Sequence, residues 1–346
     1  MHPTSTQPSR ASRLIGVLIA VAAIPASIPL FGCDTAVFAA SSTVTVIRRA
    51  SPALARLRDP ELAEEAIPGS IGTMEGLMEL VPGDMNLRAV LARSYVSYGY
   101  GFLEDRMERA ELEGGSEEDI EHWRTRASLA YMRAREVTIG GLDQIHGEDG
   151  GIMGAQSRGL EAFQQHLARF TDRERDAPLL LFATYSWARY IGLHRDDMTA
   201  IADLAFVTAM SERVLALDET VLNYAPIALH AGLIGSAPAQ LGGRPADART
   251  ELERAIQLSE RKNLMYLVTE AQICAIALQD RALFRSLLEE VINADPNIDP
   301  DQRLSNILAQ RRAARLLGQI DMYFEPEGTD SSSADGETSG GEGAVE

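Results

Sequence analysis

From Asp59 to Phe324 the chain carries helical periodicity almost without a break. Apolar residues recur there at spacings of three and four, and no alternating run is long enough for a sheet strand. Residues 280–294 show the pattern. Leu283, Phe284, Leu287, Leu288, Val291 and Ile292 make one apolar stripe, with Arg285, Glu289 and Glu290 outside it. Such stripes are buried only by packing helix on helix, so the expected fold class is all-α, made of antiparallel hairpins.

Breakers and caps divide this stretch. The spacing predicts helices near 60–80 and 85–112, with Pro82-Gly83-Asp84 between them. Gly114-Gly115 and the capping box Ser116-Glu117-Glu118-Asp119 precede a helix reaching about Val137. Six glycines then mark residues 139–154 as a loop. Further helices are expected near 155–171, 177–192, 197–217, 220–234, 245–260, 263–278, 280–294 and 300–322. The helix at 263–278 is apolar nearly all round, which places Cys274 in the core as a small residue. Residues 41–58, with the β-branched run Thr43-Val44-Thr45-Val46-Ile47, read as a linker.

Three triplets repeat the spacing small-x3-large-x2-small: Ala127–Tyr131–Ala134, Ala202–Phe206–Ala209 and Ala248–Leu252–Ala255. Positions 0, 4 and 7 of a helix share a face, so each triplet is a contact surface for a neighbouring helix. With Leu91-Ala92 and Tyr95, they resemble degenerate tetratricopeptide hairpins, packed into a single superhelical domain and separated by insertions.

The N-terminus reads as an export address. Arg10 and Arg13 precede an apolar stretch from Leu14 to Phe31 that Pro25 and Pro29 make unsuitable as a spanning helix. It closes on Leu30-Phe31-Gly32-Cys33, which resembles a bacterial lipobox with a bulky Phe31. Cys33 is then the lipid attachment site, and acyl chains contribute roughly 0.8 kcal/mol per buried methylene to anchoring. The other reading is plain cleavage after Ala39, where Val37-Phe38-Ala39 has the required small residues. The chain thus divides into a signal peptide at 1–32, an anchor linker at 33–55, a helical repeat domain at 56–325 and a tail at 326–346. The tail holds six acids and no base, and is expected to be disordered.

Across most of its length, roughly 52–325, the sequence resembles the T-components of tripartite ATP-independent periplasmic (TRAP) transporters. The N-terminal part carries Asp59-Pro60-Glu61-Leu62, Ala66-Ile67-Pro68 and Val81-Pro82-Gly83-Asp84, then the aromatic run Tyr95, Tyr98, Tyr100 and Phe102. The middle carries Tyr185-Ser186-Trp187-Ala188 and Leu217-Asp218. Leu241-Gly242-Gly243, Ala255-Ile256-Gln257-Leu258-Ser259, Gln279-Asp280-Arg281, Asp295-Pro296, Leu304-Ser305-Asn306 and Arg311-Arg312-Ala313 follow in order. The resemblance implies a periplasm-facing lipoprotein at the cell envelope, assembled as a homotrimer. It implies docking of a periplasmic solute-binding protein and the holding or passing of a small organic ligand, carboxylate or hydrophobic. A general tetratricopeptide scaffold for envelope assembly is the alternative.

Candidate ligand residues are Tyr95, Tyr98, Trp187, Arg189 and Tyr190. Tyr95, Tyr98 and Phe102 share a helix face, and their rings, with Tyr185, Trp187 and Tyr190, could line a cavity. Hairpin packing is the better account of Tyr95, which falls on a repeat position, and an equal one of Tyr98 and Trp187. Arg189 and Arg195 have the fork geometry to pair a carboxylate, or one of the chain's own acids. No enzymatic motif is found. Gly69-Ser70-Ile71-Gly72 follows no strand, Gly150-Gly151-x2-Gly154 lacks a strand–turn–helix, and His146-Gly147-Glu148-Asp149 reads as a solvated turn. Neither a cofactor nor a metal is expected.

The formal charge of −18 excludes nucleic acid as a partner, and restricts membrane contact to the lipid anchor. Among the 32 basic residues only Lys262 is lysine. An acidic body repels a carboxylate ligand unless arginines line the site. The charge therefore points to a local arginine, an apolar ligand, or a protein partner with basic docking residues.

Overall fold

The computed structural model describes residues 35–237 and 242–325. The expected signal peptide, the expected lipid attachment site Cys33 and the acidic tail lie outside the described residues. Every regular element within them is a helix. The order is α1 (Thr35–Ala50), α2 (Pro52–Ala55), α3 (Pro60–Leu80), α4 (Met85–Tyr98), α5 (Glu104–Leu112), α6 (Glu117–His146), α7 (Gly151–Ser157), α8 (Leu160–Leu167) and α9 (Asp176–Leu193). It continues with α10 (Met198–Ala202), α11 (Leu204–Leu217), α12 (Val221–Ser236), α13 (Pro245–Leu258), α14 (Leu264–Glu270), α15 (Arg281–Asn293), α16 (Arg303–Gly318) and α17 (Ile320–Tyr323).

The caps form where the sequence places them. Asp59 accepts from Leu62 N, Asp84 from Asn86 N and Leu87 N, and Ser116 from Asp119 N, each closing the first turn of its helix. Two expectations differ. The segment 41–58 is mostly helical, not an extended linker. The hydroxyls of Ser42, Thr43 and Thr45 bond back to carbonyls four residues earlier, and Ala40 and Val44 are buried against α3 and α4. Burial of one face outweighs the weak helix propensity of Thr and Val. The glycine-rich stretch 139–154 is also not one loop, since α6 continues to His146. A Cβ at Gly141 would lie 2.8 Å from Arg88 Cδ, so this glycine admits α4 to close range rather than breaking the helix.

The triplet faces are used unequally. Ala127, Tyr131 and Ala134 are fully buried, as are Ala248, Leu252 and Ala255. Ala202–Phe206–Ala209 is not one surface. Asp203 separates α10 from α11, and Ala202 is exposed.

An insertion in hydrogen-bond register, a π-turn over Gly99–Leu103, joins α4 to α5. Its extra residue rotates the following side chains by about 100° relative to a continuous α-helix. A second π-turn spans Ala271–Ala275, after α14.

The chain then closes on itself. Helix α16 packs against α2 and α3, and its arginines reach α5. Arg311 pairs with Glu61 at 2.8 Å, across 250 residues of sequence. Arg303 Nη1 donates to the Arg56 carbonyl at 2.7 Å. Repeat solenoids touch only sequence neighbours. Here α16 meets α2 and α3, so the helices between them surround an interior space.

Two predictions follow from these packing details. A Cβ at Gly99 would meet Tyr131 Cζ at 2.9 Å, whereas one at Gly76, exposed within α3, meets nothing within 4 Å. Gly99→Ala is expected to destabilise by about 1–3 kcal/mol through overpacking. Gly76→Ala is expected to stabilise by about 0.5–1 kcal/mol. Urea unfolding of both variants checks the contrast.

Glu270, at the end of α14, is 2% exposed. Burial, aided by the Glu253 charge, pushes its carboxyl up to about 7. A carboxyl raised in the folded state stabilises fully below its unfolded value and loses that contribution as pH rises through the folded one. Wild-type stability is therefore expected to fall between about pH 5 and pH 8. In Glu270→Gln that loss is expected to shrink; urea midpoints at the two pH values test it.

Candidate functional site

A cavity of about 300 Å³ occupies the interior that the closure creates. Its lining runs through the sequence from Ser51 to Leu308 and includes residues of α2, α3, α4, α9, α12, α14 and α16. The walls are mostly apolar and aromatic: Phe102 and Tyr100 from the π-turn, Phe182 and Tyr185 from α9, Tyr266 from α14, and Leu304 and Leu308 from α16. Tyr100 and Tyr185 meet edge to face, with centroids 6.3 Å apart. The Tyr266 hydroxyl donates to the Asn223 carbonyl at 2.7 Å.

Among the polar side chains that interrupt this lining, three stand out. Arg93, on α4, has no hydrogen-bond or ion-pair partner among the described residues. Burial pulls its guanidinium below the ordinary arginine value. Asn263 is 7% exposed, and its Oδ1 has no hydrogen-bond partner. Asp301 carries the third, a carboxylate spent on Arg56. Arg88, five residues before Arg93 on α4, makes a contrast. Its guanidinium donates to the Pro82 carbonyl and, at 2.7 Å, to that of Val137.

Behind Tyr100 lies a buried ionic seam. Glu104, 1% exposed, accepts from Arg189 through both carboxylate oxygens and from the Tyr131 hydroxyl. Glu108 pairs with Arg312 at 3.1 Å and with Arg315, which also reaches Asp105 at 2.7 Å. The Arg312 guanidinium sits 4.1 Å from the Tyr100 ring centroid, and that of Arg189 5.0 Å. Burial opposes the Arg312 charge, but Tyr100, Glu108 and Glu104 outweigh it and hold its pKa above the ordinary value.

The residues chosen from sequence lie around this site, and none of the five is in its wall. The Tyr95 hydroxyl donates to Glu75 at 2.8 Å, and burial beside that carboxylate pushes the phenol up to about 12. Tyr98 tilts against Phe102 and accepts from Arg126 at 3.3 Å. Trp187 is fully buried in the central core, and its indole N–H donates to Asp203 at 3.1 Å. Tyr190 stacks on His194, with centroids 4.4 Å apart. Arg189 is spent on Glu104, and Arg195 is exposed. The Tyr95–Tyr98 face turns toward α3 and α6. The strip Val90, Arg93, Ser94, Ser97 lines the cavity about a third of a turn away. Small and polar residues recurring on one face of an otherwise apolar helix were the available signal.

Elsewhere, Glu148 in the His146–Asp149 turn pairs with Arg169 at 2.7 Å. Among the described residues no group of His, Cys, Asp and Glu has metal-holding geometry, and no helix is long and apolar enough to cross a membrane. Cys274 is fully buried, and burial pushes its thiol up to about 12.

Fold and site together define an all-helical protein closed around a small, largely apolar cleft. The family model described as TRAP transporter T-component matches residues 57–324, and the chain belongs to that family. No curated protein matches it. Its general role is therefore that of an accessory component of a TRAP-type transport system.

The seam yields its own prediction. Arg189→Met leaves Glu104 buried with only the Tyr131 hydroxyl. Opening a buried pair costs about 3–5 kcal/mol, and the low end is expected here because Arg189 keeps a third of its side chain in water. Chemical denaturation of the variant measures the loss.

Proposed function

We propose that this T-component is lipid-anchored through Cys33, faces the periplasm, docks a periplasmic solute-binding protein, and holds a small organic ligand in its interior cavity. Self-association as a trimer belongs to the same reading. The observation that carries the ligand-holding role is the cavity itself, a cleft of about 300 Å³ lined by seven helices and reached by an unpaired arginine. Ligand sites in proteins are concave, mainly apolar and supplied with a few polar groups, which matches this lining. The closure also favours ligand holding over the scaffold alternative. Gripping a peptide requires an open concave groove, and α16 packs back against α2 and α3.

Two measurements test the reading. Affinity capture from cell envelopes, with mass spectrometry, is expected to recover a TRAP-type solute-binding protein; recovery of assembly machinery instead would favour the scaffold. Radioactive fatty acid is expected to label the wild type and not Cys33→Ala. Label persisting in the variant places the anchor elsewhere.

A further inference from the structure

Helix α1 has a face that the fold leaves uncovered. Ala40, Val44 and Ile47 turn toward α3 and α4, and the residues opposite them stay in solvent. Phe38, Ser42, Thr45 and Arg49 recur at i, i+4, i+7 and i+11, one stripe on that outer side, with Val46 beside it. Phe38 is 73% exposed and Val46 65%, whereas every other described phenylalanine is buried or half-buried. The hydroxyls of Ser42, Thr43 and Thr45 donate to carbonyls of their own helix, so this side can leave water without an unmet donor.

The local charge is opposite to that of the chain. Between Asp34 and Asp59 lie four arginines, Arg48, Arg49, Arg56 and Arg58, and no acid. Arg56 is spent on Asp301. Arg48 and Arg49, in the last turn of α1, are exposed and have no ion-pair or hydrogen-bond partner among the described residues. Cys33, the proposed acyl site, precedes α1 by two residues, a reach of at most about 7 Å. An acylated Cys33 therefore holds the start of α1 at the level of the lipid headgroups.

We propose that α1 lies along the bilayer surface, with Phe38 and Val46 inserted below the headgroups and Arg48 and Arg49 on the phosphates of anionic lipids. Helices that lie in the interface combine apolar side chains with basic ones in this way. The arginine stems follow the apolar surface while their forked heads reach the phosphates. The net charge of −18 does not forbid the contact. Repulsion from acids elsewhere on the body is screened beyond about 8 Å at physiological ionic strength, whereas these two arginines act at contact. The inference rests on the anchor at Cys33 and adds an orientation to it. A tether alone leaves the body free to turn, but a helix docked along its length fixes which side faces the membrane.

The test places a nitroxide on Ser42→Cys of the mature acylated protein, reconstituted in phosphatidylcholine vesicles containing some phosphatidylglycerol. Cys274 is fully buried and Cys33 carries the acyl chains, so position 42 takes the label. The label is expected to collide with oxygen more often than with a water-soluble nickel chelate. Phe38→Ser is expected to return it to water while the protein still floats with the vesicles. Omitting phosphatidylglycerol, or combining Arg48→Gln with Arg49→Gln, is expected to lower the ratio of immersed to exposed label about tenfold. A label in water on floating protein overturns the proposal and leaves the anchor standing. So does spin–spin broadening without immersion, which assigns the face to a second copy of this chain. Immersion indifferent to phosphatidylglycerol and to both arginines overturns the assignment to anionic lipid. Protein that does not float overturns the anchor and the proposal together.

Discussion

The structure depends on a seam of arginine–carboxylate pairs that holds α9 and the last long helix, α16, against α5. Glu104, Asp105 and Glu108 project from the first five residues of α5, and Arg189, Arg312 and Arg315 converge on them from α9 and α16. Burying these acids alone would be costly, and each arginine offsets that by meeting a carboxylate through planar, forked donors. The choice of arginine matters in a chain with a single lysine. A guanidinium stacks on Tyr100 and reaches Glu108 at once, which a point-charge ammonium does not do. Closing a loop of some 250 residues is less forbidding than it seems, because each doubling of loop length adds only about 0.6 kcal/mol.

The closure turns a row of hairpins into a container. Tyr100 links the two functions of the π-turn, with its ring against the arginines of the seam and its edge in the cavity wall. The extra residue of the π-turn makes this geometry available. It lets Gly99 accept the Tyr131 ring at close range, while Tyr100 and Phe102 turn toward the interior.

That register shift marks the limit of what the sequence conveys. Helix class and most helix starts were legible, because caps such as Asp59, Asp84 and Ser116 are local signals. The helix over 35–50 was not, since its stability comes from burying Ala40 and Val44 against residues met later in the chain. Gly140 and Gly141 read as loop formers, but their role is set by Arg88 on another helix. For the site, Phe102 and Tyr185 of the aromatic set line the cavity, while Tyr95 and Tyr98 lie on another face of α4. Tyr95 and Tyr98 are visible as a face, but nothing local says that Glu75 and Arg126 occupy it. Arg189 and Arg93 look alike in sequence. Only the fold shows that one meets Glu104 and the other meets no acid.

The cavity's border also stores backbone strain. Leu222, Asn223 and Tyr224 adopt left-handed conformations in succession, with φ of 47°, 59° and 66°. Non-glycine residues seldom do so even singly, at a cost of roughly 1–2 kcal/mol each. The turn is held by Tyr266, whose hydroxyl takes the Asn223 carbonyl, while Tyr266 and Leu222 both line the cavity. Strained backbone persists where surrounding contacts over-determine it, and such places cluster at binding sites. Here the contacts that over-determine the turn are the same ones that shape the wall. A molecule displacing Tyr266 would release the Asn223 carbonyl and remove the restraint on the turn. The border at Leu222–Tyr224 is thus tied to the cavity wall through Tyr266, while the seam behind Tyr100 is tied by ion pairs.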